Sequence, residues 1–295
     1  MSTLSVEITR MLRALWIQFE QIAPYWVIGL VVGSVINVYL SDKIVGKISA
    51  FKSKKFSFVA LLLFAILGIA SPLCMYGTIP LIASLGKKHV PEYLLATFMI
   101  CSILLNPNLL IMSFALGANV AILRLCASLL GGLLAGILVY VFYKKKRLFT
   151  FEAFGVETGK KKRTFLRDLL RAIQITFPYL LIGISLTALY DLYFPKQFMN
   201  VIFVGNQAIA SLLAMSFSIP LHACGGGAIP LLLAWLHAGM SIGTALIFML
   251  AGASMKFTNL GAVKIILGAK NFAIYIGYCL GLSLALGFIV DSVLK

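Results

Sequence analysis

Hydrophobic residues in this 295-residue chain form long runs broken by short polar or Gly/Pro-rich stretches. The runs stand at roughly 23–40, 56–86, 91–117, 120–143, 169–194, 198–237, 241–260 and 271–293. They do not alternate with a period of two, so they predict helices, and about 20 apolar residues suffice for one bilayer crossing. Two runs, 56–86 and 198–237, are too long for one simple crossing and carry a Gly/Pro-rich interruption, which predicts a broken or re-entrant hairpin in each. Ahead of the first run, Leu4, Ile8, Met11, Leu12 and Leu15 share one helical face, while Glu7, Arg10 and Arg13 take another. That pattern predicts an interfacial helix feeding the first crossing.

Composition strengthens this picture. Hydrophobic residues make up 61% of the chain and charged ones 12%, against about half and about a quarter in a soluble domain. This excludes a soluble globular enzyme and leaves lipid as the matching solvent. Lys and Arg number 25 against nine Asp and Glu, a net charge of +16. Because these cations fall between apolar runs, they read as topology determinants and contacts to anionic lipid headgroups, not as a nucleic-acid surface. The polar stretch 144–168 holds nine of them and reads as a solvated cytoplasmic loop between membrane repeat 1 (1–143) and membrane repeat 2 (169–295). If both long runs enter and return on one side, 18 of the 25 cations lie inside. Treating 56–86 as a single crossing would throw the nine-charge loop outside, against the positive-inside rule.

The two halves resemble one another. PYWVIG at 24–29 recurs as PYLLIG at 178–183, and CMYGTIPL at 74–81 recurs as CGGGAIPL at 224–231. Phe98-Met99 recurs as Phe248-Met249 at the same offset of 150 as the second match. Each half then holds three crossings plus one hairpin, and an odd number of crossings inserts the second copy upside down. The expected fold is an all-α polytopic membrane protein of two inverted repeats, each three transmembrane helices plus one broken or re-entrant helical hairpin. Paired broken segments in inverted repeats point to a secondary transporter, with its substrate site where the breaks meet.

The breaks supply the candidate substrate-binding residues. The first, Ser71 to Pro80, offers Cys74, Gly77 and Pro80: the prolines remove backbone donors, and Gly77 permits positive φ. The second, Pro220 to Pro230, offers His222, Cys224, Gly225, Gly226 and Gly227, whose amides can approach a ligand closely at the start of the returning half-helix. Cys74 and Cys224 occupy equivalent places, and a thiol suits soft centres such as trivalent arsenic. Asn106, in Asn106-Pro107-Asn108, interrupts the run 91–117, and Lys256 and Asn259 lie at the matching place in the second half. A lysine within a span is costly and suits an anionic substrate or counter-ion. Arg124 and Arg171 lie near span ends and read as snorkelling to the interface. Glu92 and Asp191 also lie near span ends, and the other seven acids read as tails or loops, which gives no carboxylate proton relay. No metal set or cofactor motif stands out. The five cysteines lack Cys-x-x-Cys spacing, which argues against zinc.

Cys74, Gly77, Pro80, Asn106-Pro107, Cys224-Gly225-Gly226-Gly227, Ile229-Pro230 and the run AGASMKFTNLGAVKIILGAK at 251–270 resemble the predicted-permease family that includes the ArsP-type organoarsenical efflux permeases. The resemblance covers nearly the whole chain apart from 144–168. It implies a multi-pass permease of a prokaryotic inner membrane and, by analogy, efflux of trivalent organoarsenicals through thiol contacts at Cys74 and Cys224. Where family members often carry Cys-x-Cys-Gly, this chain has Cys74-Met75-Tyr76-Gly77, with one cysteine.

The leading expectation is therefore a permease, not an enzyme, that moves a small solute by alternating access. The expected partners are that solute, anionic lipid and, for a homo-oligomer, a second copy of the chain, without nucleic acid. Two alternatives stay open: a permease for a small anion, and a membrane thiol–disulfide electron carrier using Cys74 and Cys224. An intramembrane hydrolase would need an HExxH or paired-Asp motif, which is missing.

Overall fold

The computed structural model describes residues 3–35, 57–73, 75–87, 90–143, 147–150, 207–221, 229–237 and 239–294, together with scattered helical positions between 165 and 185. Among these residues there is no strand. Helices α1 (Thr3–Val35), α2 (Phe58–Ala70), α3 (Met75–Lys87), α4 (Glu92–Leu104), α5 (Pro107–Ser113) and α6 (Ala118–Phe142) belong to the first half. A 3₁₀ turn, Phe114–Leu116, lies between α5 and α6. The second half contributes α7 (Gln207–Leu221), α8 (Ile229–His237), α9 (Ile242–Met255) and α10 (Phe257–Val293).

Three stretches are long and apolar enough to cross a bilayer: Glu92–Leu116, Ala118–Phe142 and Asn259–Val293. The chain is an all-α membrane protein. Its outer helices are apolar on their exposed faces, where lipid takes the place of a protein neighbour. On α2, Phe58, Val59, Leu62, Leu63, Ile66 and Leu67 are exposed, while Ala60, Leu61, Phe64, Ala65, Gly68 and Ile69 are buried.

At the centre lie α4 and α9, packed against each other. Every residue of α4 from Tyr93 to Leu104, and of α9 from Gly243 to Met255, is buried. Helices of 13 and 14 residues rise about 20 Å, short of the roughly 30 Å hydrocarbon core. Each is thus a half-length helix fully enclosed by protein. In the first half α4 packs on α2 and α6, and in the second half α9 packs on α7 and α10. Small residues permit the close approach. A Cβ on Gly136 of α6 would meet the Thr97 hydroxyl and, at 3.1 Å, the Tyr93 carbonyl of α4. One on Gly287 of α10 would meet Ile247 and, at 2.8 Å, the Gly243 carbonyl of α9.

The halves also interlock. Helix α3 packs on α10, and α8 packs on the 3₁₀ turn before α6, so each returning helix rests against the other half. Residues 147–150 of the basic stretch, expected to be solvated, tie the halves together instead, with Leu148 and Phe149 buried. The Leu148 N–H donates to Glu92 Oε2 at 2.7 Å, and Asn271 Nδ2 donates to the Leu148 carbonyl at 2.7 Å. The Thr150 N–H and hydroxyl both donate to the Ile266 carbonyl, at 2.7 and 3.2 Å. That carbonyl needs an outside donor because Gly268 (φ 71°, ψ 167°) kinks the helix beside it.

The amphipathic N-terminal stretch and the start of the run 23–40 lie on one continuous helix, α1. Several expectations are corrected here. Lys264 and Lys270, between the runs 241–260 and 271–293, are helical and exposed on either side of Gly268, whose non-helical backbone divides α10 into two consecutive helices. Gly77 sits inside α3 and is not among the positive-φ glycines of the described residues, which are Gly117, Gly239 and Gly268. Residues 71–73 are non-helical as expected, but α3 runs from Met75 through Pro80, so the second part of the expected break is helical.

Candidate functional site

The breaks that end α4 and α9 are built differently. After α4 the chain extends at Leu105 and Asn106, with Asn106 at φ −130°, ψ 168°. The Asn106 side chain accepts from the Leu109 N–H at 2.9 Å, capping α5, and Pro107 occupies the first helical position, where it lacks only a donor that would be orphaned anyway. Asn106 thus has a structural task at the predicted break. After α9 a single residue, half-buried Lys256 (φ −55°, ψ 142°), separates the helices. Its N–H donates to the Gly252 carbonyl at 3.2 Å, and its carbonyl accepts from the Asn259 N–H at 2.9 Å. Asn259 is buried, and its Nδ2 reaches back to the Ala253 carbonyl at 3.5 Å.

Orphaned carbonyls in the last turn of α9 draw further donors. The Tyr275 hydroxyl of α10 donates to the Ser254 carbonyl at 2.8 Å. The Cys279 thiol lies beside both Tyr275 and Ser254. In the first half the Cys101 thiol points at the Ser128 carbonyl, 3.6 Å away. Thr78, on α3 next to Gly77, meets Ser102 of α4, with 3.0 Å between the hydroxyls. The residues of the first break therefore border the end of α4, and Asn106 and Lys256 end two helices that pack together. His222, Cys224 and Gly225–Gly227, like Cys74, lie outside the described residues. Pro80 lies in α3, without a described side-chain environment.

Two polar groups were misjudged from sequence. Arg124 does not snorkel: it is 1% exposed, turned into the protein from α6. Its Nη1 donates to the Ser113 hydroxyl at 2.8 Å, and Ser113 in turn donates to the Leu109 carbonyl at 2.6 Å. Asp291, expected in the tail, is buried in the last turn of α10. Its carboxylate accepts from the Gly243 N–H at 2.8 Å and the Ser241 hydroxyl at 2.9 Å, satisfying the start of α9. Among the described residues no group of three His, Cys, Asp or Glu comes together as a metal set.

The family comparison agrees with a membrane location. The family model described as a predicted permease, ArsP_1, matches residues 7–292. The chain belongs to this family. Among its relatives is the UPF0718 protein YcgR of Bacillus subtilis, 24% identical over 247 residues, which covers 80% of this chain and 82% of that protein. A Streptococcus mutans protein named as a subunit of a two-component membrane permease complex is 23% identical over 265 residues, 86% of each chain. The UPF0718 protein MJ0584 of Methanocaldococcus jannaschii is 23% identical over 133 residues, 45% of this chain and 36% of that protein. No solved structure is significantly similar to the chain. By family, then, the protein is a membrane permease.

Proposed function

We propose that this permease is a multi-pass secondary transporter of the prokaryotic inner membrane that works by alternating access, in two inverted repeats, 1–143 and 169–295, joined by the basic stretch 144–168. The observation that carries this reading is the pair of fully enclosed half-length helices, α4 and α9, each ending in a non-helical break and each packed between two neighbours of its own half. Non-helical backbone at membrane depth is tolerated where it is buried in protein or lines a cavity, and transporter sites are formed there. The helix starts support the duplication: α4 and α9, and α5 and the first turns of α10, begin about 150 residues apart, and the positive-φ Gly117 and Gly268 stand 151 apart.

In this reading the substrate sits among Gly77, Pro80, Asn106, Lys256, Asn259 and the tips that carry Cys74, His222, Cys224 and Gly225–Gly227. Two thiols there favour efflux of trivalent organoarsenicals. The name of the Streptococcus relative also raises a second subunit as a partner.

The test is thermal stability of the purified protein against trivalent methyl- and phenyl-arsenicals, arsenite and soft metals, because a ligand that binds only the native state stabilises it by mass action. The arsenical reading expects a rise in melting temperature that disappears in Cys74→Ser/Cys224→Ser. A rise that is indifferent to the cysteines would refute the thiol site. Labelling of single cysteines introduced at positions 53, 160 and 196 checks the inversion: 53 and 160 on one side with 196 opposite supports it, and 53 and 160 on different sides would refute it.

A further inference from the structure

A cationic side chain sealed inside a membrane protein requires a counter-charge. Burying an unpaired guanidinium costs several kcal/mol, and even a neutral buried donor is expensive when left unsatisfied. Arg124 lies seven residues into α6, about 9 Å along its axis, and is 1% exposed. Of its five N–H donors, one at Nη1 meets the neutral Ser113 hydroxyl, while Nε and Nη2 have no partner. One turn further on, on the same helical face, the Ser128 hydroxyl is 0% exposed and also lacks a partner. Together they leave the Nε/Nη2 edge of the guanidinium and one hydroxyl unused, and that edge is the one that grips two oxygens of a carboxylate, phosphoryl or sulfonyl group side-on.

No acid among the described residues neutralises this charge. Glu7 and Glu20 lie exposed on α1, Glu92 accepts from Leu148, and Asp291 accepts from Gly243 and Ser241. The setting is otherwise apolar: Ser113 hangs from Leu109 and Ser128 abuts Cys101, both members of a buried cluster with Ala65, Ile69 and Leu105. The second half provides an internal control. Counting from the positive-φ glycines, Tyr275 takes the place of Arg124, and its one donor is satisfied by Ser254.

We infer that Arg124 and Ser128 form a binding site for an oxyanion, held side-on by the guanidinium Nε/Nη2 edge while Ser113 fixes the opposite end, beside the break that follows α4. The oxyanion is either a soluble anion or a lipid phosphate entering from the nearby membrane face. The site stands on orphaned donors in the first half and not on the thiols or on Lys256, so it survives failure of the arsenical reading.

The test uses the full chain in anion-poor detergent buffer, probed with inorganic phosphate, sulfate and acetate by thermal shift and calorimetry. At least one anion should raise the melting temperature of the wild type. Arg124→Met should abolish the response. Arg124→Lys, which keeps the charge and loses the fork, should weaken binding about tenfold or more. Ser128→Ala should weaken it several-fold, and Lys264→Met, which removes an exposed cation of α10, should leave it intact. In parallel, native mass spectrometry after reconstitution with phosphatidylglycerol reads the lipid source. Phosphatidylglycerol retained by the wild type and lost from Arg124→Met assigns the oxyanion to a headgroup, and a soluble-anion response with the same dependence assigns it to a solute. Anion and lipid responses that are absent, or equal in wild type, Arg124→Lys and Ser128→Ala, overturn the site. Arg124→Lys carries the test should Arg124→Met fail to fold.

Discussion

The α4–α6 seam of the first half and the α9–α10 seam of the second use the same backbone scheme with opposite polar chemistry. Both bring a glycine of the long helix, Gly136 or Gly287, against the first turns of an enclosed half-length helix. At the outer end the first seam closes with Tyr93 and Tyr140 edge to face, ring centroids 5.5 Å apart. At the corresponding end of the second, Gly243 and Ser241 meet the Asp291 carboxylate. Deeper in, Arg124 leaves donors unused while Tyr275 spends its hydroxyl on a carbonyl that needs one. The second seam is polar and satisfied. The first is aromatic at its rim and carries unspent charge inside. A satisfied polar contact holds two helices in register, whereas unspent donors sealed from water await something that arrives from outside.

The harshest way to break the comparison is steric. Gly243→Leu would drive a side chain into the Gly287 carbonyl and the Asp291 carboxyl, and because backbone cannot yield, it should cost about 3 kcal/mol or more. Loss of a monodisperse peak in fluorescence-detected size exclusion would report it. Asp291→Ala should follow at about 1–3 kcal/mol, because it strands the Gly243 N–H and takes one acceptor from the Ser241 hydroxyl, which keeps Thr244 Oγ1. The melting temperature in detergent should fall, with Asp291→Asn between the two.

The sharpest comparison sets equivalent positions against each other. Tyr275→Phe leaves the Ser254 carbonyl without its donor and should cost roughly 0.6 kcal/mol, the usual worth of a hydrogen bond between membrane helices. Arg124→Met, measured without anions, should cost nothing or raise the melting temperature, because an apolar side chain replaces a charge that lacks compensation. Equal losses at the two sites would erase the distinction between the seams. The smallest effect is expected at Thr150→Ala, about 0.5 kcal/mol, because the Thr150 N–H still serves the Ile266 carbonyl when the hydroxyl is gone. Faster amide exchange around Ile266 and Asn271 would register it.

Much of this molecule is legible in the spacing of apolar runs. Continuous hydrophobicity marks α4, α6 and the second part of α10. Gly and Pro punctuation marks the break at 71–73, Asn106-Pro107 marks the start of α5, and Lys256 marks the end of α9, because each acts on its own backbone. Gly268 is legible in the same terms, since its positive φ divides α10 between the runs 241–260 and 271–293, whereas Lys264 and Lys270 are helical and exposed on either side of it. Leu148 and Phe149 were hidden within a highly charged stretch, and their burial depends on Glu92, Asn271 and Ile266, far away in sequence.

The sequence by itself determined that the chain lives in lipid, that it is helical, and where helices such as α4 and α9 stop, because hydropathy and backbone chemistry act locally. Only the tertiary structure decided which polar groups are spent. Position 124 lies near the end of a span, where an arginine ordinarily reaches for the interface. Instead the extended residues Leu105 and Asn106 and the positive φ of Gly117 let α5 and the following turn pack back onto α6. That fold brings the Ser113 hydroxyl over the guanidinium and holds it away from water. No pattern along the chain encodes that juxtaposition, because it depends on how two segments rotate about a break and not on what either segment is made of.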